Sequence, residues 1–137
     1  MGGRTPMNVH VQEWLDISRE DYDAAEVMFQ NRKYLYSVFM YQQAVEKAIK
    51  ALYQHKFTEV PPRKHDLVRL ADEAGVLGEC SDGQKVLLST LTEFYIEARY
   101  PGDRAELSIR CDRDFARTIL DDTREMVAWL ENQLKGS

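Results

Sequence analysis

Apolar residues recur at helical spacing along almost the whole chain, and this one pattern decides the class of fold. Val11, Leu15, Ser18, Tyr22, Ala25 and Phe29 alternate steps of four and three, the stripe of a first helix that Asn8 can cap and that ends near Asn31-Arg32-Lys33. Val38, Tyr41, Val45, Ala48 and Leu52 mark a second helix from Tyr34 to about His55. Between Phe57 and Lys64, Pro61-Pro62 removes two amide donors and forces a loop. A short helix over His65 to Ala71 is stopped by Gly75 and Gly78, and Ser81-Asp82 cap the next. That helix, with Leu87, Leu91, Phe94 and Ala98 on its stripe, runs to about Tyr100, where Pro101-Gly102 ends it. The last spans Arg113 to Leu134 on Ala116, Leu120, Thr123, Val127, Leu130 and Leu134. No window alternates long enough to make a strand. The expectation is an all-α domain over residues 9–135 behind a tail over 1–8, an up-down four-helix bundle with an additional short helix between the second and fourth helices.

Composition narrows the function classes. A chain of 137 residues has the length of one domain. Its 18 Lys+Arg against 23 Asp+Glu leave a formal charge of −5, which argues against coating nucleic acid by bulk charge but leaves room for a local basic patch. The longest central stretch without a charge, Tyr34 to Val45, is far below the roughly 20 apolar residues of a membrane span. The first residues carry no apolar leader, so the cytoplasm is the expected compartment. Cys80 and Cys111 stand alone with no histidine at ligand spacing, which draws neither a disulfide framework nor a zinc site. No glycine-rich phosphate loop follows a strand, and no Glu-x-x-His pair suggests a di-iron bundle. No metal and no cofactor is expected.

The second helix carries the most information. On a wheel, Val38, Tyr41, Val45, Ala48, Ile49 and Leu52 fall within about 60° of one another and face the core. Tyr36, Phe39, Met40, Gln43, Lys47 and Lys50 lie on the far side, so the first half of the helix is apolar all round. A helix apolar on two faces needs two partners. A homodimer through Tyr36, Phe39, Met40 and Gln43 is the expectation; the competing arrangement has the short helix or the Pro-Pro loop folding back over that surface.

Three blocks carry a family resemblance. Tyr41-Gln42-Gln43-Ala44-Val45-Glu46-Lys47-Ala48-Ile49-Lys50-Ala51-Leu52, then His65-Asp66-Leu67 with Leu70, then Glu97-Ala98-Arg99-Tyr100-Pro101-Gly102 resemble the HEPN domain family (higher eukaryotes and prokaryotes nucleotide-binding), in the expected order and from about Trp14 to Trp129. The resemblance implies an all-α bundle, usually dimeric, often encoded beside a minimal nucleotidyltransferase, with a polar groove for nucleotide or RNA. It also implies that some members are metal-independent ribonucleases acting as toxins or defence effectors.

In that nuclease branch an Arg precedes a His by roughly four to six residues, the imidazole taking a 2′-hydroxyl proton while the guanidinium steadies the phosphoryl oxygens. Arg99 has no His downstream, so the motif is missing. Arg4 and His10 match the spacing only by chance, in the tail. If the chain cleaves RNA, Arg99 must work with His65 or Tyr100. The ligand-binding candidates are Gln43, Glu46, Lys47, Lys50, His65, Asp66, Arg99, Tyr100 and Arg104: ammonium and guanidinium groups for phosphate, carboxamide for a base edge, tyrosine for stacking. Each also has an ordinary reading: Asp66 as a helix cap, Glu46-Lys50 and Gln43-Lys47 as surface pairs, the arginines as solvated loop charges and Tyr100 as a packed helix end. Three functions follow in order. The first is a nucleotide- or RNA-binding dimeric subunit beside a minimal nucleotidyltransferase, in a toxin-antitoxin or stress module. The second is a metal-independent endoribonuclease with a non-standard pair. The third is a ligand-free dimerisation scaffold.

Overall fold

The computed structural model describes residues 8–136, and among them every regular element is a helix. The elements are α1 (Val9–Gln30), α2 (Tyr34–Phe57), α3 (Leu67–Glu73), α4 (Asp82–Glu93), α5 (Pro101–Arg110) and α6 (Arg113–Gly136), with single 3₁₀ turns at Leu77–Glu79 and Ile96–Ala98. Residues 1–7, Arg4 among them, lie outside the described part, whereas His10, expected in the tail, lies in the first turn of α1. None of the described helices is long and apolar enough to cross a membrane.

α1 begins where the Asn8 side chain accepts from the amide of His10, and its stripe buries Val11, Leu15, Ser18 and Ala25. Arg32, at φ 64°, turns the chain back into α2. Ser18 Oγ donates to the carbonyl of Ala44, Ser37 Oγ to that of Ala25, and Trp14 Nε1 to Gln54 Oε1, so α1 and α2 run antiparallel. The two small serines allow close approach of the backbones. Arg19 pairs with Glu131 and Arg124 Nε donates to Tyr22 Oη, which sets α6 antiparallel to α1. Phe94 meets Phe115 at 5.4 Å between ring centroids, placing the end of α4 at the start of α6.

The six core residues expected of α2 are all buried, but so are Phe39, Gln42, Glu46, Lys50 and Gln54. This corrects the wheel at two positions. Phe39 is covered from within the chain by Tyr95, whose ring lies 5.8 Å away, so it is not available to a second copy. Lys50 is buried rather than solvated, its ammonium 5.6 Å above the Trp14 ring. Tyr36 remains exposed, with the Arg104 guanidinium over its ring and donating to its hydroxyl, and Met40 is half-buried against the core. Of the surface expected to require a partner, Phe39 is thus covered by the segment following α4 and Tyr36 is touched by Arg104 of α5, while Met40 and Gln43 stay half-buried.

The segment from Phe94 to Arg110 departs most from expectation. α4 ends at Glu93, and Pro101 opens a helix instead of closing one. Proline suits a first helical position, where its missing amide has no acceptor to lose. Phe94 and Ile96, two apart, would point to opposite sides of a continuing helix. By leaving helical geometry the chain buries both. Arg99 Nη2 then donates to the carbonyl of Glu93 at 2.9 Å, satisfying a terminal acceptor of α4. The stretch between Pro101-Gly102, expected to end a helix, and Arg113, expected to start the last one, is therefore mostly α5, held by buried Leu107 and by Arg110 on Glu93.

Candidate functional site

Polar side chains on one flank of α2 form a directed hydrogen-bond chain. Lys47 can only donate, so Gln43 Oε1 must accept from it, at 2.8 Å. Gln43 Nε2 then donates to Gln42 Oε1 at 2.6 Å, and Gln42 Nε2 donates to both Glu46 Oε1 (3.0 Å) and the carbonyl of His65 (3.2 Å). Glu46, 1% exposed, is where this chain ends. Its Oε2 accepts from Lys50 Nζ at 3.0 Å and its Oε1 from His65 Nδ1 at 2.9 Å. Burial would raise the Glu46 carboxyl, yet the bonds from His65, Lys50 and Gln42 together outweigh it and hold the group below its ordinary value, as a carboxylate. At the far end Lys47 also reaches Asp21, whose carboxyl is pushed up by burial against the pull of that ammonium.

Glu46 thus joins α2 to the loop that delivers His65. The loop ends in Asp66, the cap of α3, whose Oδ1 accepts from the amides of Val68 and Arg69. The imidazole lies flat on the Tyr95 ring, 3.9 Å between centroids and 12° between planes, and its side chain is 43% exposed. With Nδ1 on Glu46, Nε2 is its remaining nitrogen. His65, Asp66, Thr92, Tyr95, Ala98 and Arg99 line one cleft of about 200 Å³. Thr92 is occupied there, accepting from the amide of Leu67 and donating to the carbonyl of Leu88.

Of the nine sequence candidates, the structure gathers three, His65, Asp66 and Arg99, around that cleft. Glu46 stands directly behind it. Gln43, Lys47 and Lys50 are engaged with one another's neighbours inside the fold, not aligned on an open face. Tyr100 does not pack a helix end: it is 80% exposed as the residue before α5. Arg104 is turned to Tyr36 and lines no part of the cleft. Gln42, Tyr95 and Thr92 are not among the sequence candidates. Gln42 sits inside the first family block, and the Phe94-Tyr95-Ile96 run, which breaks a helical stripe, was the available signal for Tyr95.

The described residues form an all-helical domain whose histidine-arginine cleft is backed by a buried carboxylate, and sequence comparison gives its family. The HEPN domain profile matches residues 11–133, and the chain belongs to the HEPN family. A crystal structure of TT1696 from Thermus thermophilus shares the fold at a TM-score of 0.76 and 23% sequence identity, over 90% of this chain and 97% of that one. No curated protein matches the sequence.

Proposed function

We propose that this HEPN domain binds the phosphate of a nucleotide or of RNA in the cleft between His65 and Arg99. The observation that carries the reading is the convergence of an imidazole and a guanidinium from separate elements on one concavity, in a chain of net negative charge. Arg99 supplies the fork that grips phosphate, and Tyr95 and His65 supply ring faces for a base. Titrating a fluorescently labelled short RNA in EDTA tests it: Arg99→Ala and His65→Ala each weaken binding by protein whose circular dichroism shows it still folded, and undiminished binding by both refutes it.

The biological setting is a proposal of the same kind. We read the antiparallel pairs of α1, α2, α4 and α6 as an up-down four-helix bundle, acting in the cytoplasm as a subunit beside a minimal nucleotidyltransferase in a toxin-antitoxin or stress module. A second copy meets the first at Tyr36, Met40 and Gln43, with Phe39 no longer part of that surface. A sedimentation profile at micromolar concentration with only a 15.9 kDa species removes the dimer.

One observation favours a second reading, metal-independent RNA cleavage. His65 is backed by an ionised carboxylate and shares its cleft with Arg99, the two roles that transesterification needs. Nε2 would take the 2′-hydroxyl proton, O2′ would attack phosphorus, and the 5′-oxygen would leave with a proton from water, giving a 2′,3′-cyclic phosphate. Cleavage in EDTA that disappears in both Arg99→Ala and His65→Ala would place this reading first.

A further inference from the structure

We infer that Glu46 is a positioning residue that fixes His65 in the tautomer with hydrogen on Nδ1, and that the cleft consequently selects ligands carrying a hydroxyl beside phosphate, ribonucleotides over their 2′-deoxy counterparts. The inference rests on the phosphate-binding reading of the cleft and adds what the cleft distinguishes.

The hydrogen-bond directions leave no choice of tautomer. Lys50 can only donate to Glu46, and Gln42 is oriented by Gln43 and Lys47 so that its amide nitrogen, not its oxygen, meets Glu46. An ionised carboxylate with two donors in place accepts a third, so the hydrogen between it and His65 belongs to Nδ1. In the neutral ring Nε2 then carries a lone pair. Stacking on Tyr95 opposes the turn of the ring that would exchange its nitrogens, and the bond from Gln42 to the His65 carbonyl holds the backbone that carries the ring. A fixed acceptor in the same cleft as Arg99, the residue proposed to grip phosphate, matches a sugar hydroxyl adjacent to phosphate, and a ligand without that hydroxyl leaves the acceptor unpaired. In a half-open cleft the difference is roughly tenfold in affinity.

The experiment has two arms. Imidazole ¹⁵N spectra of the free protein at about pH 8.5, above the ordinary histidine range, with the His65 signals assigned by their loss in His65→Gln, are expected to show hydrogen on Nδ1. A spectrum with hydrogen on Nε2, or an even mixture, overturns the inference. In the second arm, a labelled RNA oligonucleotide and the DNA of the same sequence are titrated into the wild type and into Glu46→Met combined with Lys50→Met, which removes both members of the buried pair and strands no charge. The wild type is expected to prefer RNA about tenfold and the double variant to lose most of that preference. Equal affinity in the wild type, or full preference in the double variant, overturns the selectivity. Failure of both oligonucleotides to bind refutes the phosphate-binding reading and the selectivity with it, while the spectrum still decides the role of Glu46. Should the double variant not fold, the wild-type spectrum and the wild-type RNA-to-DNA ratio each remain able to overturn the inference.

Discussion

Replacing Glu46 alone by Leu should be among the most destabilising single changes available to this chain. The substitution leaves the Lys50 ammonium, with a side chain only 8% exposed, without its counter-ion, and takes an acceptor from His65 and from Gln42. Removing one member of a buried pair costs about 3–5 kcal/mol, a large part of the roughly 5–15 kcal/mol typical of a whole domain. Replacing both members, Glu46→Leu with Lys50→Met, strands no charge and should cost at most about 1 kcal/mol. The pair is therefore expected to show a coupling of about 2 kcal/mol or more in a double-mutant cycle measured by urea unfolding, with fluorescence and circular dichroism coincident. The same carboxylate predicts a pH dependence. Its folded-state value is depressed below the ordinary 4.5, so the stability it supplies is fully present above that value and is lost as the pH falls through the lower folded-state value. Glu46→Leu should flatten the acid limb of the stability curve. A single variant costing less than about 1 kcal/mol would refute the reasoning, because it would mean that Lys50 reaches water without its partner.

Other consequences can be measured as directly. Gly75 has φ +78° and an added Cβ would run into Lys56 Nζ, so Gly75→Ala should lower stability by about 1 kcal/mol in thermal unfolding, with Lys56 swinging aside and the backbone conformation causing the loss. Asp66→Ala removes the acceptor of two α3 amides and should also cost about 1 kcal/mol, lowering the melting temperature by several degrees. Burial pushes the Cys111 thiol up to about 12 and raises that of Cys80, so neither should react with a thiol reagent at neutral pH until the protein is unfolded; stoichiometric labelling of the native protein would contradict this burial. If Arg99 grips phosphate, Arg99→Ala should reduce the slope of log affinity against log salt by about 1 for RNA, and an unchanged slope would place the phosphate elsewhere.

The long helices were legible because their stripes are long. α1, α2 and α6 each repeat the three-four step for several turns, and most of the residues so identified are buried. The region after α4 was not, because Pro101-Gly102 carries the same letters whether it stops one helix or starts another, and only the burial of Phe94 and Ile96 decides between them. Lys50 was misplaced for a related reason. A wheel records the direction of a Cβ, whereas burial of a long side chain depends on what arrives from elsewhere, here Trp14 of α1. At the cleft, His65, Asp66 and Arg99 were visible as residue types, but their meeting requires the irregular turn that brings Arg99 back to Glu93. Tyr95, the ring on which His65 rests, had no pattern of its own beyond interrupting one.

The two-sided seating of His65 has a thermodynamic consequence. Its edge is anchored by a carboxylate and its face by a phenol ring, in perpendicular directions, so the imidazole has already surrendered its rotational freedom before any visitor arrives. Freezing a mobile side chain on association costs about 0.5–1.5 kcal/mol, a penalty that was absorbed here when the domain folded. The proposed capture at this imidazole would then be a docking event without a rearrangement step, its speed set by encounter and its lifetime by the contacts made.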